Sequence, residues 1–232
     1  MSTGTQQLCF IGDSFVAGIG DETALGWTGR LIARQAAAGN PVTAYNLGIR
    51  GNTSAQIAGR FDDEIGLRRS PARPTRVVIS MGVNDTTYVD GEPRVPLVES
   101  CANLERMLDA MAGDPLLVVG PPAVSEDAQN ERIRELSARF RELCRERGVP
   151  YVEVFHVLEL HPVWRKQVLE GDGAHPRSEG YQALYELVAP TWDRWMGLSP
   201  RGGKELTQEV PVVDLQTTRR EPGAHILAVS GQ

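Results

Sequence analysis

The chain has 232 residues, 41% of them hydrophobic and 23% charged, with a formal net charge of -6. That length suits one domain with a sizeable core, and the composition is that of an ordinary soluble globular protein. The acidic balance excludes a general nucleic-acid binder, which would carry a basic patch or a high pI, and no apolar run reaches membrane-spanning length.

In chain order, the opening segment MSTGTQQLCF has no basic region followed by a long apolar stretch, which points to a cytoplasmic protein. QLCFIG then predicts a strand ending at Gly12, and GWTGRLIARQAAAGN predicts a helix from Gly26. VTAYNLG reads as a second strand, followed by a helix in TSAQIAGRFDDEIGLRR. TRVVISMG and VPLVESCANLERMLDAMAG repeat the pattern, as do PLLVVGP and DAQNERIRELSARFRELCRERG. In that last helix Ile133, Leu136, Phe140, Leu143 and Cys144 share one face, and Gly148 stands where it would stop. YVEVF is the fifth strand, and SEGYQALYELVAPTWDRWMG the last helix, with Ser178 as its expected N-cap and Gly197 as its terminator. Residues 198–232 are mostly polar and broken by Gly and Pro, so they read as a flexible or loosely docked tail on a domain spanning 1–197.

The strands are rich in β-branched and aromatic residues and are mostly closed by Gly or Pro. Their near-continuous apolar character suits strands buried on both faces of a parallel sheet. Strand alternating with helix predicts an α/β protein, a three-layer α/β/α sandwich around a five-stranded parallel sheet. Right-handed crossovers favour the flavodoxin-like strand order 2-1-3-4-5. Cys9, Cys101 and Cys144 form no CxxC pair, so buried free thiols are expected rather than a disulfide framework or a zinc knuckle.

In such sheets ligands bind beyond the carboxyl ends of the strands. Gly12-Asp13-Ser14 follows the first strand, Gly48-Ile49-Arg50-Gly51-Asn52 the second and Gly82-Val83-Asn84-Asp85 the third. The fifth leads through a longer loop to DGAHP, with Asp172 and His175. Acyl transfer needs this set. A serine hydroxyl requires an adjacent base, normally a histidine oriented by a carboxylate, and the developing oxyanion requires preorganised donors. Singly, each residue has an ordinary reading: Ser14 as a helix cap, Asp172 as a turn former, His175 as a loop residue, Asn84 as a turn residue. Their convergence on one sheet edge favours the chemical reading.

The blocks GDS, NLGIRGNTS, GVND and DGAHP, in this order, resemble those of the SGNH hydrolases, the GDSL lipase/esterase family, over roughly Leu8 to Trp195. The resemblance implies the same sandwich fold and a serine hydrolase that cleaves carboxylic esters or thioesters. It assigns Ser14 as nucleophile and Asp172 and His175 as its partners. The Ser14 N–H, Gly51 and Asn84 become the oxyanion hole, with no cofactor or metal and a small-molecule ester as partner. Phe15 stands where the family pattern has leucine, a position expected to be packing. The G-x-S-x-G elbow of α/β-hydrolases is absent. An acyltransferase using the same acyl-enzyme, or a non-catalytic module binding a ligand in the same crevice, would carry the same residues.

Asp13 is expected to be structural, bonding backbone donors, and Arg50 to be solvated. His156 and His161 lack metal-pair spacing, and GIGDET lacks the third glycine of a phosphate loop. The loops TTYVDGEPR, PAVSED and HVLELHPVWRKQVLEG are expected to wall the pocket, with Trp164, Val168, Leu169 and Tyr88 as an apolar wall.

Overall fold

A computed structural model describes residues 6–70 and 75–198; from 199 on, the expected tail lies outside the described residues. Strand β1 (Gln6–Gly12) runs into a short helix α1 (Ser14–Ala17), and α2 (Gly26–Ala37) returns to β2 (Val42–Gly48). Next come α3 (Ser54–Gly66), β3 (Thr75–Ser80), a hairpin of β4 (Tyr88–Val89) and β5 (Glu92–Pro93), and α4 (Leu97–Ala110). Then follow β6 (Leu116–Val119), α5 (Asp127–Glu146), β7 (Tyr151–Val152), α6 (Phe155–Leu160), α7 (Pro162–Glu170) and α8 (Ser178–Met196). The main sheet is parallel in the order β2-β1-β3-β6-β7, the expected 2-1-3-4-5 once the hairpin is set aside.

Side chains alternate across the sheet and divide the core in two. Leu8, Phe10, Val78, Leu117 and Val119 pack with α2 and α8, where Trp27, Trp192 and Tyr181 fill the space. Phe10 sits between Trp27 (5.7 Å, edge to face) and Trp192 (5.7 Å, stacked). On the other face Cys9, Ile11, Val77, Ile79, Leu116 and Val118 pack against Ile57, Phe61, Leu104, Met107, Leu136 and Phe140 of α3, α4 and α5. The buried strands carry apolar residues at both parities because both faces are covered.

Local chemistry sets the helix starts. Thr53 and Gln56 form a reciprocal capping box at α3. His161 caps α7 by accepting the Trp164 N–H on Nδ1 (3.3 Å), with Pro162 in the first turn. Ser178 is the first residue of α8 rather than its N-cap; Arg177 holds that position with no side-chain bond. The helix ends as expected at Gly197, in the left-handed region at φ 68°. Among the described residues no helix is long and apolar enough to cross a membrane. Cys9 and Cys144 are buried free thiols, pushed up by burial to about 11 and about 12, while Cys101 is half-buried.

Candidate active site

Ser14 opens α1 directly beyond β1, with only 3% of its surface exposed. Asp13, not Ser14, caps that helix: its Oδ1 accepts the Phe15 N–H at 3.0 Å. Ser14 is therefore the first helical residue, where an N–H has no partner within the helix. Its Oγ lies 2.7 Å from His175 Nε2.

His175 is presented by the loop before α8. Its Nδ1 lies 2.7 Å from Asp172 Oδ2, while Asp172 Oδ1 accepts the N–H groups of His175 (2.9 Å) and Ala174 (3.1 Å). Partial burial works against ionisation of Asp172, but these backbone and ring donors outweigh it and hold the carboxyl at about 2. Phe15 backs the imidazole, ring to ring at 5.0 Å, and is itself stacked on Trp164 at 6.3 Å. The position expected to be packing thus packs against the histidine itself. Ser14, His175 and Asp172 form one hydrogen-bonded chain.

Asn84 reaches the residue before Ser14 from the loop after β3, and Gly51 lies in the loop after β2 that Asn84 holds. Gly51 lies at φ 77°, and its carbonyl accepts Arg94 Nη2 at 3.0 Å. Asn84 Nδ2 donates to the Asn52 carbonyl (3.0 Å) and lies 3.3 Å from Asp13 Oδ2, so it ties the loop holding Gly51 to the residue before Ser14. Asp13 does bond a backbone donor as expected, but its second oxygen faces the Asn84 amide. Burial pushes the Asp13 carboxyl up to about 7, against the Phe15 N–H and with the Asp85 charge adding.

Three supporting residues receive no role from the sequence alone, although Asp85 lies in the GVND block. The buried Asp85 accepts the Ser54 N–H and the Ser100 hydroxyl, both at 2.7 Å, which pins the start of α3 to α4 beside Asn84. Arg60 of α3 donates through Nη2 to the carbonyls of Gly12 and Leu47 (2.8 Å each) and through Nε to Asn52 Oδ1 (3.0 Å). Arg94 belongs to the segment after the hairpin. The partners named here lie 8 to 48 residues away, so no local pattern links them. Arg50 is 66% exposed, as expected, with its Nη2 3.5 Å from Asp172 Oδ2.

The expected apolar wall separates into two kinds of residue. Trp164 and Val168 are core at 1% exposure, and the Trp164 indole N–H donates to the Ala123 carbonyl at 2.9 Å. Leu169 and Tyr88 are exposed, and Arg132 lies over the Tyr88 ring at 4.1 Å. HVLELHPVWRKQVLEG is not a loop but the helices α6 and α7. Together with the 121–126 loop these helices border a groove of about 730 Å³, lined by Val124, Ser125, Leu160, Lys166 and Leu169 among others. His156 is the second residue of α6 and His161 the N-cap of α7.

Residues 10–183 match the model of the GDSL-like lipase/acylhydrolase family. The chain is 29% identical over 195 residues to the esterase TesA of Pseudomonas aeruginosa, covering 80% of this chain and 87% of that protein. Its fold is that of a lipase/acylhydrolase from Enterococcus faecalis (TM-score 0.68, 23% identity, 85% of this chain and 100% of that one). It also matches Axe2, an acetylxylan esterase from Geobacillus stearothermophilus (TM-score 0.63, 19% identity, 86% of this chain and 98% of that one). This chain is an ester-hydrolysing enzyme and belongs to the GDSL-like lipase/acylhydrolase family.

Proposed function

We propose that the enzyme cleaves carboxylic esters of small molecules, and thioesters by the same attack, through an acyl-enzyme on Ser14. The observation that carries this reading is the unbroken chain from Asp172 through His175 to Ser14, with both ring contacts at 2.7 Å. The Asp172 carboxylate, ionised at any pH above about 2, fixes the tautomer with the proton on Nδ1. Nε2 is then free to take the Ser14 proton as Oγ attacks the acyl carbon.

The tetrahedral oxyanion is met by the Ser14 N–H, the Gly51 N–H and the Asn84 amide. The 3.3 Å contact between Asn84 and Asp13 is long for N–H···O, so this N–H can turn onto an oxyanion at little cost. His175 then returns its proton to the leaving alcohol or thiol, and water repeats the sequence to release the acid.

The test is labelling by a fluorophosphonate, in which Ser14 Oγ bonds phosphorus and fluoride leaves. The wild type is expected to take up one label, and Ser14→Ala none, with loss of ester hydrolysis. Asn84→Ala should lower kcat by about 10²–10³, as removal of a single oxyanion donor does. Full activity in Ser14→Ala would refute the reading.

A further inference from the structure

The segment GIGDET, which has no place in the chemistry above, joins the serine element to the histidine element. We infer that Glu22 is a positioning residue: it grips the start of α8 and so keeps His175 within hydrogen-bond reach of Ser14. The inference rests on the proposed roles of those two residues.

Glu22 is exposed, yet both of its oxygens are engaged by one residue. Oε2 accepts the Ser178 N–H at 3.0 Å and Oε1 accepts the Ser178 hydroxyl at 2.8 Å. α8 has no side-chain cap of its own, so a carboxylate from a distant loop meets one of its orphan N–H groups and its positive end. Ser178 is three residues after His175, and the intervening Pro176 stiffens the link.

Other contacts make the 18–26 segment a strut rather than a tether. Gly20, at φ 93°, lies so close that a Cβ there would be 2.5 Å from the Pro176 carbonyl oxygen and 3.3 Å from His175 Cβ. The Ile19 carbonyl accepts the Tyr181 hydroxyl at 2.7 Å, and Arg30 donates to the Ser178 carbonyl at 3.1 Å. Inside the segment, the buried Asp21 accepts from the Thr23 N–H and hydroxyl, the Gly26 N–H and Arg30. That network holds Ala24 at φ 57°, a conformation a non-glycine residue adopts only under constraint. The segment begins at Gly18, the C-cap of the helix that carries Ser14. Gln167 grips α8 from the other side, accepting the N–H groups of Arg177 and Gly180 at 2.9 Å each. Of these two side-chain grips on the start of α8, that of Glu22 comes from the segment that continues directly from the helix of Ser14.

Loss of the grip should therefore alter geometry and leave substrate binding alone. Since a displacement of about 1 Å can cost up to about 10²-fold, and Gln167 remains, Glu22→Ala is expected to lower kcat about tenfold. KM for p-nitrophenyl acetate should stay within about twofold, and labelling of Ser14 should slow in step with kcat. Glu22→Gln keeps an acceptor oxygen for Ser178 and should recover most of the rate. Arg34→Ala cuts a different link between α2 and α8, the Arg34–Asp193 pair at 2.8 and 2.5 Å, and should lower thermal stability with kcat unchanged. Wild-type kcat and labelling rate in Glu22→Ala would overturn the inference, as would an equal loss of kcat in Arg34→Ala. If Glu22→Ala does not fold, Ser178→Ala serves in its place: a fall in kcat at unchanged KM supports the inference, and a wild-type rate overturns it. Activity in Ser14→Ala, by contrast, would remove the underlying assignment of the nucleophile whatever Glu22 does.

Discussion

Asp13 and Asp172 are two carboxylates of one site with opposite effects on stability. Asp13 is 1% exposed and is pushed up by burial to about 7 from the ordinary 3.8. Below pH about 4 it is protonated in both folded and unfolded chains. Between about 4 and 7 the unfolded chain releases its proton while the folded chain keeps it, so stability falls as pH rises and the loss is complete above about 7. Asp172, held at about 2, instead contributes stability above 3.8 that is lost as pH falls towards 2. The two windows do not overlap, so Asp13 can be read separately. Asp13→Asn should gain thermal stability relative to the wild type as pH goes from 4 to 8, on the order of a few kcal/mol at most. A melting-temperature difference that stays flat across that range would refute this. The same variant should lose activity, because a new amide facing the Asn84 amide sets donor against donor.

The short helix α1 exists in this position because β2 ends in a glycine. A Cβ on Gly48 would lie 2.3 Å from the Ala17 nitrogen and 2.7 Å from the Asp13 carbonyl oxygen, both backbone atoms of the turn carrying Ser14. Gly48→Ala must therefore push α1 away, at about 3 kcal/mol or more, and should abolish labelling of Ser14. Gly51 is the contrasting case. A Cβ there meets nothing within 4 Å, and only its φ of 77° resists a side chain. Gly51→Ala should cost about 1–2 kcal/mol, so urea denaturation of the two variants separates close approach from backbone conformation. Strands and long helices were legible because apolar runs and helical periodicity are local properties. The four loops were legible because each follows such a strand. α1 is a single turn capped by Asp13, too short for any period to register. α6 and α7 were hidden by Pro162 and by exposed Leu160 and Leu169, which break the apolar stripe. Ser178 resembled an N-cap, but Glu22, 156 residues away, supplies the acceptor, and no local pattern encodes such a contact.

At the scale of the molecule, the site is divided between the two faces of the sheet. His175 leads into α8, whose face is filled by Trp27, Trp164 and Trp192. The Gly51 loop leads into α3, and Asp85 ties α3 to α4, all on the face without tryptophan in its core. Ser14, just beyond β1, an inner strand paired on both sides, is the joint between them. Tryptophan fluorescence therefore reports the histidine half, whereas the proposed reaction draws on both halves. Phe61 lies 2% exposed in the α3 face, so Phe61→Ala should cost roughly 3–5 kcal/mol. At about 2–4 °C per kcal/mol for a chain of this size, the midpoint should fall on the order of 10 °C. If β1 and β3 transmit packing between the faces, the tryptophan transition falls by the same amount as the activity midpoint, although no tryptophan touches Phe61 in the core. An activity midpoint that drops while the tryptophan transition stays in place would mean that the α3 side can melt alone, and that the sheet does not couple its two layers.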